Sequence, residues 1–272
     1  MSVDESLRAQ QYRDASNLIA RIALHERFST NPHALPLWIF DQLELPDDAR
    51  ILEIGCGSGN LWAENTKRIP ERWQITLTDA SLGMVCEAHQ RLSGSHSFRF
   101  QVANAQELPF ADESFDAVIA AHMLYHVPDR DKVFSEIVRI LRDGGHLYAA
   151  TNGIKHMHEL VAMLRVLDPR WPHESINPDL PNFNLQNGAE QLSAWFNEVA
   201  LLRYEDSLVV TEAKPLVGYL LSTMHAQELA KRLPAEEFRG RLSTLKDSLD
   251  KELAVRGSIH ITKDTGMFVA SC

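Results

Sequence analysis

The chain has 272 residues, of which 44% are hydrophobic and 24% charged, a composition that excludes wholesale disorder. Its 37 acidic and 27 basic residues give a formal net charge of −10, which repels phosphates and argues against a nucleic-acid partner. No apolar run approaches the roughly 18 residues of a membrane span, and the N-terminal residues lack the apolar segment of a signal peptide. The three cysteines are too widely spaced for a disulfide framework or a zinc site. We therefore expect a cytoplasmic protein without a membrane partner, whose oligomeric state stays open.

The first half of the chain predicts helices followed by alternating strands and helices. Apolar residues at helical spacing predict a helix within 1–30, which Asn31-Pro32 ends, and a second helix at 33–44. The predicted strands that follow are 50–55, 73–78, 98–103, 115–121 and 146–151. The predicted helices between them are 59–68, 81–92 and 128–141. This alternation is typical of a doubly wound parallel sheet.

The second half is less regular. Four prolines in 168–184 predict an irregular excursion, and the patterns beyond it predict a helix at 188–196, a strand at 201–210 and helices over 214–255. Asp264-Thr265-Gly266 separates two strand-like runs and predicts a terminal hairpin. The resulting division is a helical lid (1–30), a binding core (31–152), a cap insertion (153–187), a core continuation (188–213), a helical cap insertion (214–257) and a terminal strand of the core sheet (258–272).

The strongest chemical signal is a glycine-rich turn between a strand and a helix, Glu53-Ile54-Gly55-Cys56-Gly57-Ser58-Gly59. Such a turn lets a ligand approach the backbone at a helix N-terminus. A dinucleotide motif needs its third glycine at position 60, where this chain has Asn60. The carboxylate of Glu53 suits a ligand with an ammonium and a sulfonium better than a pyrophosphate. A tight turn without a ligand is the remaining alternative.

Asp79 ends the second predicted strand, 20 residues after Gly59. This spacing suits a carboxylate that accepts both ribose hydroxyls of an adenosine cofactor. Asp79 also stands where it can cap the helix that begins near Ser81, and one side chain can perform both roles.

Four segments of this core resemble the class I S-adenosylmethionine-dependent methyltransferases, in particular the type-11, ubiquinone-biosynthesis-like group. They are LEIGCGSG (52–59), LTDAS (77–81), ANAQELPFADESFDAVIAAHMLYHV (103–127) and RILRDGGHLYAATNG (139–153). The alternation and the resemblance together predict a Rossmann-like, mostly parallel seven-stranded sheet with an antiparallel C-terminal hairpin and helical cap insertions. The resemblance also implies S-adenosyl-L-methionine as the cofactor and S-adenosyl-L-homocysteine as the product.

The resemblance assigns cofactor contacts to individual residues. Glu53 is expected at the methionine amino group and Asp79 at the ribose hydroxyls. The remaining implied contacts are Gly55, Cys56, Gly57 and Gly59 on the methionine and ribose, Ala80 and Met84 beside the adenine, Asn104 and Ala105 at its edge, and Ala121 and His122 on the methionine side. Asn104 departs from the family, which usually has Asp there, although its amide can still accept from the adenine amino group.

Transfer of a methyl group from a sulfonium needs alignment of the nucleophile and exclusion of water, and it needs a base only for a protonated nucleophile. His126 and Tyr125 follow the fourth strand at its carboxyl end, where open α/β sheets bind ligands. They are our candidates for facing the acceptor; a purely structural role for the histidine is the alternative. His122 and His126 lack a third ligand at metal-binding spacing, so no metal is expected.

The N-terminal helix contains Tyr12, Arg21 and His25, and related enzymes fold such a helix over the cofactor. Arg21 suits a bidentate grip on the methionine carboxylate, whereas a solvated helix face is the alternative. We therefore expect residues 1–30 to act as a mobile lid, with the two insertions walling the acceptor pocket. Candidate aromatic residues for that pocket, which also suit an ordinary core, are Trp171, Phe183, Trp195 and Tyr219.

The leading functional hypothesis is a methyltransferase that acts on an O, N or C nucleophile of a small molecule. An amino-group DNA methyltransferase is disfavoured because the fourth strand is followed by Ala121-His122-Met123-Leu124 instead of Asn/Asp-Pro-Pro-aromatic, and that region lacks the nucleophilic Cys of a C5-cytosine enzyme. A catalytically silent cofactor- or partner-binding protein with the same fold is the alternative.

Overall fold

The computed structural model describes the chain from residue 16 to residue 272, and the described chain divides into two compact units. The sheet unit comprises residues 33–154, 179–204 and 265–272. The described part of the helical unit comprises residues 16–32, 155–178 and 205–264.

A seven-stranded sheet forms the centre of the sheet unit. Its strands are β1 (Arg50–Ile54), β2 (Gln74–Asp79), β3 (Phe98–Val102), β4 (Phe115–Ala121), β5 (Leu141–Asn152), β6 (Glu198–Tyr204) and β9 (Thr265–Ser271). The strand order is β3-β2-β1-β4-β5-β9-β6, and β9 runs antiparallel to both of its neighbours. The predicted mostly parallel seven-stranded sheet is therefore confirmed.

Both faces of the central strands are buried, which explains their nearly continuous apolar sequences. Because successive side chains point to opposite faces, Leu52 and Val118 pack in one hydrophobic cluster, while Ile51 and Ile119 pack in another. The flanking helices are α2 (Leu35–Asp41), α3 (Asn60–Asn65), α4 (Leu82–Leu92), α5 (Arg130–Ile140) and α7 (Gly188–Ser193). Two short 3₁₀ turns, Leu124–His126 and Leu180–Asn182, complete the unit.

The helical unit contains five helices and a two-stranded antiparallel sheet in its described part. The helices are α1 (Ser16–Phe28), α6 (Glu159–Leu167), α8 (Ala213–Leu221), α9 (Met224–Arg232) and α10 (Ala235–Arg256), and the strands are β7 (Ser207–Val210) and β8 (Ile259–Thr262). They enclose their own apolar core, to which α1 contributes Leu24 and Phe28. None of the helices in the described chain is long and apolar enough to cross a membrane.

Two strand predictions need correction. The predicted strand 201–210 is two strands, because Asp206 interrupts it: its carboxylate accepts the backbone N–H groups of Thr30 and Asn31 at 3.1 and 3.0 Å and turns the chain. The segment before it joins the large sheet as β6, and the segment after it pairs with β8 as β7.

The turn at Asp264-Thr265-Gly266 does not join two paired strands. Strand β8 pairs with β7 in the small sheet, whereas β9 lies between β5 and β6 in the large sheet. The division at residue 258 predicted that residues 259–262 belong to the core sheet. They belong instead to the separate antiparallel pair that β7 and β8 form.

Candidate active site

Three glycines with left-handed backbone conformations form the turn between β1 and α3. Gly55, Gly57 and Gly59 have φ values of +65°, +54° and +72°, which side chains other than glycine rarely adopt. A Cβ atom at Gly55 would stand 2.7 Å from Cβ of Met123, and one at Gly59 would stand 2.9 Å from Cδ1 of Leu92. A Cβ atom at Gly57 would meet no heavy atom within 4 Å. The middle of the turn is therefore open, while both of its ends are packed.

Asp79 at the end of β2 holds this turn in place. Its Oδ2 accepts the N–H of Gly57 at 3.0 Å, and its Oδ1 accepts the N–H of Ser81 at 2.8 Å. The N-cap of α4 is Ser81, whose hydroxyl accepts the N–H of Met84, so Asp79 itself is not the cap. Burial raises the pKa of the Asp79 carboxyl, opposed by these two N–H donors and by His126. Each carboxylate oxygen keeps lone-pair capacity for a further donor.

Glu53 is a buried carboxyl at the end of β1, with only 3% of its surface exposed. The indole Nε1 of Trp62 donates to its Oε2 at 2.6 Å. Burial raises the pKa of Glu53 to about 8, helped by the charge of Asp79 and opposed by the indole donor. Burial also raises the pKa of the neighbouring Cys56 thiol, which keeps that sulfur protonated and unreactive.

Asn60 begins α3 directly after the turn. Its Oδ1 is buried and accepts no hydrogen bond from any described residue. A buried acceptor without a donor is costly, so this atom marks a place where a ligand donor is favourable. Sequence analysis treated Asn60 only as the missing glycine of a dinucleotide motif.

The predicted adenine residues follow β2 and β3. Ala80 is exposed, whereas Met84 is 1% exposed and lies in the interior; the exposed apolar side chain of the same helical turn is Leu82, at 65%. Oδ1 of Asn104 accepts the backbone N–H of Gln106 at 3.0 Å, which holds the side chain in a local turn. Ala105 is half-buried beside it.

The turn after β4 reaches the same edge of the sheet. Ala121 and His122 are half-buried, and His122 has a φ of +58°, an uncommon conformation for a residue with a side chain. Its backbone N–H donates to the carbonyl of Ala150 at 2.9 Å, which fixes the turn to β5. Such strain is characteristic of functional sites.

His126 lies on the 3₁₀ turn after β4 and pairs with a residue that sequence analysis missed. Its Nδ1 is 2.8 Å from Oδ2 of Asp179, which begins the second 3₁₀ turn. Tyr125 is 7% exposed, and its ring packs edge-on against the His126 ring at 4.5 Å. Asp179 lies in the proline-rich segment 168–184, 53 residues after His126, where no periodicity signals a contact.

The remaining predicted residues lie in the helical unit, in the core of the sheet unit or outside the described residues. Arg21 on α1 donates to the hydroxyl and the carbonyl of Ser222, at 3.1 and 2.7 Å. Trp171 and Tyr219 pack with the core of the helical unit, and Phe183 and Trp195 with that of the sheet unit. Tyr12 lies outside the described residues. Within residues 16–272, no group of three His, Cys, Asp or Glu side chains is arranged to hold a metal ion.

The sequence between β1 and β5 matches a family described as "Methyltransferase domain", over residues 52–149. Residues 52–149 are a methyltransferase domain. The predicted resemblance to the type-11 group is thereby confirmed. This methyltransferase domain contains Glu53, the glycine turn, Asp79 and His126, whereas Asp179 lies beyond it.

Two curated relatives show similarity over the same region. Methyltransferase GfsG of Streptomyces halstedii is 30% identical over 122 residues, which are 41% of this chain and 41% of that protein. The ubiquinone/menaquinone biosynthesis C-methyltransferase UbiE of Desulfotalea psychrophila is 36% identical over 100 residues, 37% of this chain and 40% of that protein. The chain therefore spans about two fifths of the length of these relatives.

Solved structures with the same fold extend beyond the methyltransferase domain. The YcgJ protein of Bacillus subtilis is 20% identical with a TM-score of 0.54, covering 89% of this chain and 98% of that one. The [4+2]-cyclase SpnF is 18% identical with a TM-score of 0.56, covering 97% and 93%. At these identities the likeness establishes the fold and not the reaction.

Proposed function

We propose that this protein transfers a methyl group from S-adenosyl-L-methionine to a small-molecule acceptor. The observation that most supports this is the Asp79 carboxylate, held against the glycine turn by the N–H groups of Gly57 and Ser81. Its remaining lone pairs suit two vicinal ribose hydroxyls. The methyltransferase domain that contains these residues supports the same proposal.

Two features of the turn fit an adenosyl cofactor. The open space at Gly57 admits a ligand close to the backbone, and the buried Oδ1 of Asn60 lacks a donor among the described residues. The carboxyl of Glu53 suits the methionine ammonium. The remaining proposed contacts within the sheet unit are those that the resemblance implies: Gly55, Cys56, Gly59, Ala80, Met84, Asn104, Ala105, Ala121 and His122.

When bound, the cofactor supplies an electrophilic methyl group on a positively charged sulfur. The protein's own contribution is to fix both reactants in line and to exclude water. Glu53 and Asp79 anchor the two ends of the cofactor, and the strained turn at His122 positions the residues after β4. His126, with Tyr125 packed against it, faces the acceptor in this proposal.

A small-molecule acceptor agrees with the net charge of −10, which disfavours nucleic-acid substrates. It also agrees with the relative UbiE, whose name places it in ubiquinone and menaquinone biosynthesis.

The test is release of S-adenosyl-L-homocysteine, measured by mass spectrometry, against a panel of hydroxylated, amino and thiol metabolites. We expect acceptor-dependent release by the wild type and none by the double variant Gly57→Val, Asp79→Ala. Equal release by both proteins, or no release with any acceptor although the cofactor binds, would contradict methyl transfer.

A further inference from the structure

The helical unit contains a cleft between α6, α10 and β8. Its volume is about 570 Å³, and every residue that lines it belongs to this unit. Small-molecule sites have volumes of about 300–1,000 Å³, so the cleft is large enough for a ligand of that class.

The middle of the cleft is apolar. On α6, Ala162, Met163 and Val166 line it at the spacing of one helix face. Leu249 of α10 and Ile259 of β8 also line it, and they are only 3% and 4% exposed. The cleft therefore offers an apolar surface to the body of a ligand.

Hydrogen bonds fix the walls of the cleft at both ends of α6. At its C-terminus, Nη1 of Arg241 donates to the carbonyl of Leu167 at 2.7 Å, which holds α10 against α6. At its N-terminus, the carboxylate of Glu159 accepts the backbone N–H of Thr262 at 3.0 Å and also accepts the Thr262 hydroxyl, which holds β8. The cleft is thus formed before a ligand binds, as ligand sites usually are.

Charged side chains line one end of the cleft. Since Arg241 near the start of α10 contacts the C-terminus of α6, the later α10 residues Glu252 and Arg256 lie towards the N-terminus of α6, where Glu159 is. Nη1 of Arg256 is 3.4 Å from Oε1 of Glu252, and their side chains are 72% and 40% exposed. An ion pair this exposed is weak, so another cation can replace Arg256 beside Glu252.

The charge at this end selects the kind of ligand. With histidine counted as neutral, the charged groups that line the cleft are two carboxylates and one guanidinium. An ammonium group has three N–H donors and no acceptor, which suits carboxylate oxygens. The net charge of −10 also attracts a cation, whereas an anionic ligand would be repelled.

We propose that this cleft is a binding site for a small amine with an apolar body. The ammonium group contacts the carboxylates of Glu252 and Glu159. The apolar body lies against Met163, Val166 and Leu249. The inference does not depend on the proposed methyl transfer, because it concerns residues of the helical unit alone.

The first test compares three probes of equal chain length, octylamine, octanoate and 1-octanol, with the full-length protein. Carbon-13 NMR of the methionine methyl groups reports binding at Met163, which lines the cleft, and at Met224 of α9, which does not. We expect octylamine to produce a saturable shift of the Met163 methyl resonance and none of the Met224 resonance. Octanoate should bind at least about tenfold more weakly than octylamine, and 1-octanol with an affinity between the two.

The second test changes the charges that line the cleft. Glu252→Lys should weaken octylamine binding at least about tenfold. The matched control is Glu236→Lys, because Glu236 lies on the same helix, also pairs with an arginine at 3.4 Å and does not line the cleft. Arg256→Gln should strengthen octylamine binding and weaken octanoate binding, since it removes the competing cation.

The third test fills the cleft without changing its charge. Ala162 is an exposed lining residue, so Ala162→Phe should abolish the octylamine-dependent shift while the protein stays folded. Ala254→Phe, at an exposed position of α10 outside the cleft, should bind octylamine as the wild type does.

Four outcomes would overturn the inference. They are octanoate binding as tight as octylamine binding, no saturable shift of Met163, wild-type affinity in both Glu252→Lys and Ala162→Phe, and weaker octylamine binding by Arg256→Gln. A Met163 shift that follows protein concentration without any added amine would also overturn it, because a second copy of the chain would then cover the cleft.

Discussion

At the scale of single residues, the ionisation of Glu53 makes both the stability of the protein and ligand binding at the site depend on pH. Its pKa is raised from 4.5 to about 8 by burial, so the carboxyl is mostly protonated in the ligand-free protein at neutral pH. Because the folded state binds this proton more tightly than the unfolded chain, the contribution of Glu53 to the free energy of unfolding falls as pH rises from about 4.5 to about 8. A methionine ammonium favours the ionised carboxylate and must displace that proton.

We therefore predict that affinity for S-adenosyl-L-homocysteine increases between pH 6 and pH 8 and that binding releases a proton. Calorimetry in buffers of different ionisation enthalpy measures both effects. In Glu53→Gln the proton release should vanish and the affinity should no longer depend on pH in this range. Proton uptake by the wild type, or the same release from Glu53→Gln, would remove Glu53 from the ammonium site.

Asp79 provides a second test at this scale. Asp79→Ala loses charge-assisted hydrogen bonds to the ribose, roughly 1.5–3 kcal/mol, which corresponds to about a tenfold to hundredfold loss of affinity for S-adenosyl-L-homocysteine. The matched control is Asp47→Ala, whose side chain is 87% exposed. Calorimetry should show wild-type affinity in the control, and wild-type affinity in Asp79→Ala would contradict the ribose assignment.

At the scale of elements, the glycine turn contains one position that packs against other residues, Gly59, and one that is open to a ligand, Gly57. Gly57→Ala and Gly59→Ala both place a side chain in a left-handed conformation, at about 1–2 kcal/mol. Only Gly59→Ala also presses a methyl group against Leu92 and Ala88, at 2.9 and 3.3 Å. We predict that Gly59→Ala lowers the free energy of unfolding in urea more than Gly57→Ala does.

The same pair of variants should differ in ligand affinity in the opposite sense, because the methyl group of Gly57→Ala enters the open space of the turn. Gly240→Ala, with ordinary φ and open surroundings on α10, serves as the control for both measurements. Equal affinity of Gly57→Ala and the control would show that no ligand approaches the turn at Gly57.

The elements of the core could be predicted because their patterns are local. The run Phe115–Ala121 is buried on both faces, and the spacing of the glycines identifies the glycine turn in the sequence. The pairing of β7 with β8 could not be predicted, since it depends on Asp206 contacts with residues 175 or more positions away. The pairing of Asp179 with His126 could not be predicted for the same reason, because the two turns that contain these residues meet only in the folded chain.

At the scale of the whole molecule, the helical unit is assembled from three separated stretches of chain. The third stretch contains a buried ion pair between Lys263 and Asp206, whose side chains are 5% and 0% exposed. The Asp206 carboxylate also accepts the Ser29 hydroxyl at 2.6 Å, which joins this stretch to the first one. The donors around it, Lys263 foremost, hold the pKa of Asp206 below its usual value despite burial. The ionised Asp206 carboxylate therefore stabilises the folded state at pH values above its unfolded-state pKa. This stabilisation is lost as pH falls towards the folded-state pKa of Asp206.

Lys263→Met should therefore leave an uncompensated buried carboxylate and destabilise the helical unit by about 3–5 kcal/mol at pH 7. The double variant Lys263→Met, Asp206→Asn should recover part of that loss. Urea unfolding followed by hydrogen exchange resolves the helical unit from the sheet unit. The interpretation fails if the single variant is as stable as the wild type, or less affected than the double variant.

The lid assigned to residues 1–30 stays a prediction. The described part, α1, buries Leu24 to 1% exposure in the core of the helical unit, so deletion of residues 1–27 would open that core. Such a deletion would therefore change the folding of the helical unit as well as the proposed closure of the lid, so it would not test the lid alone.

The most direct test of the central claim is calorimetric titration of the wild-type protein with S-adenosyl-L-homocysteine and, separately, with NAD. Both ligands contain an adenosine. S-adenosyl-L-homocysteine has the ammonium that suits Glu53, whereas NAD has a pyrophosphate, which the Glu53 carboxylate repels. We predict one-to-one binding of S-adenosyl-L-homocysteine and binding of NAD at least about a hundredfold weaker. Comparable binding of NAD, or no binding of S-adenosyl-L-homocysteine, would contradict the assignment of the glycine turn and of the methyl-transfer function.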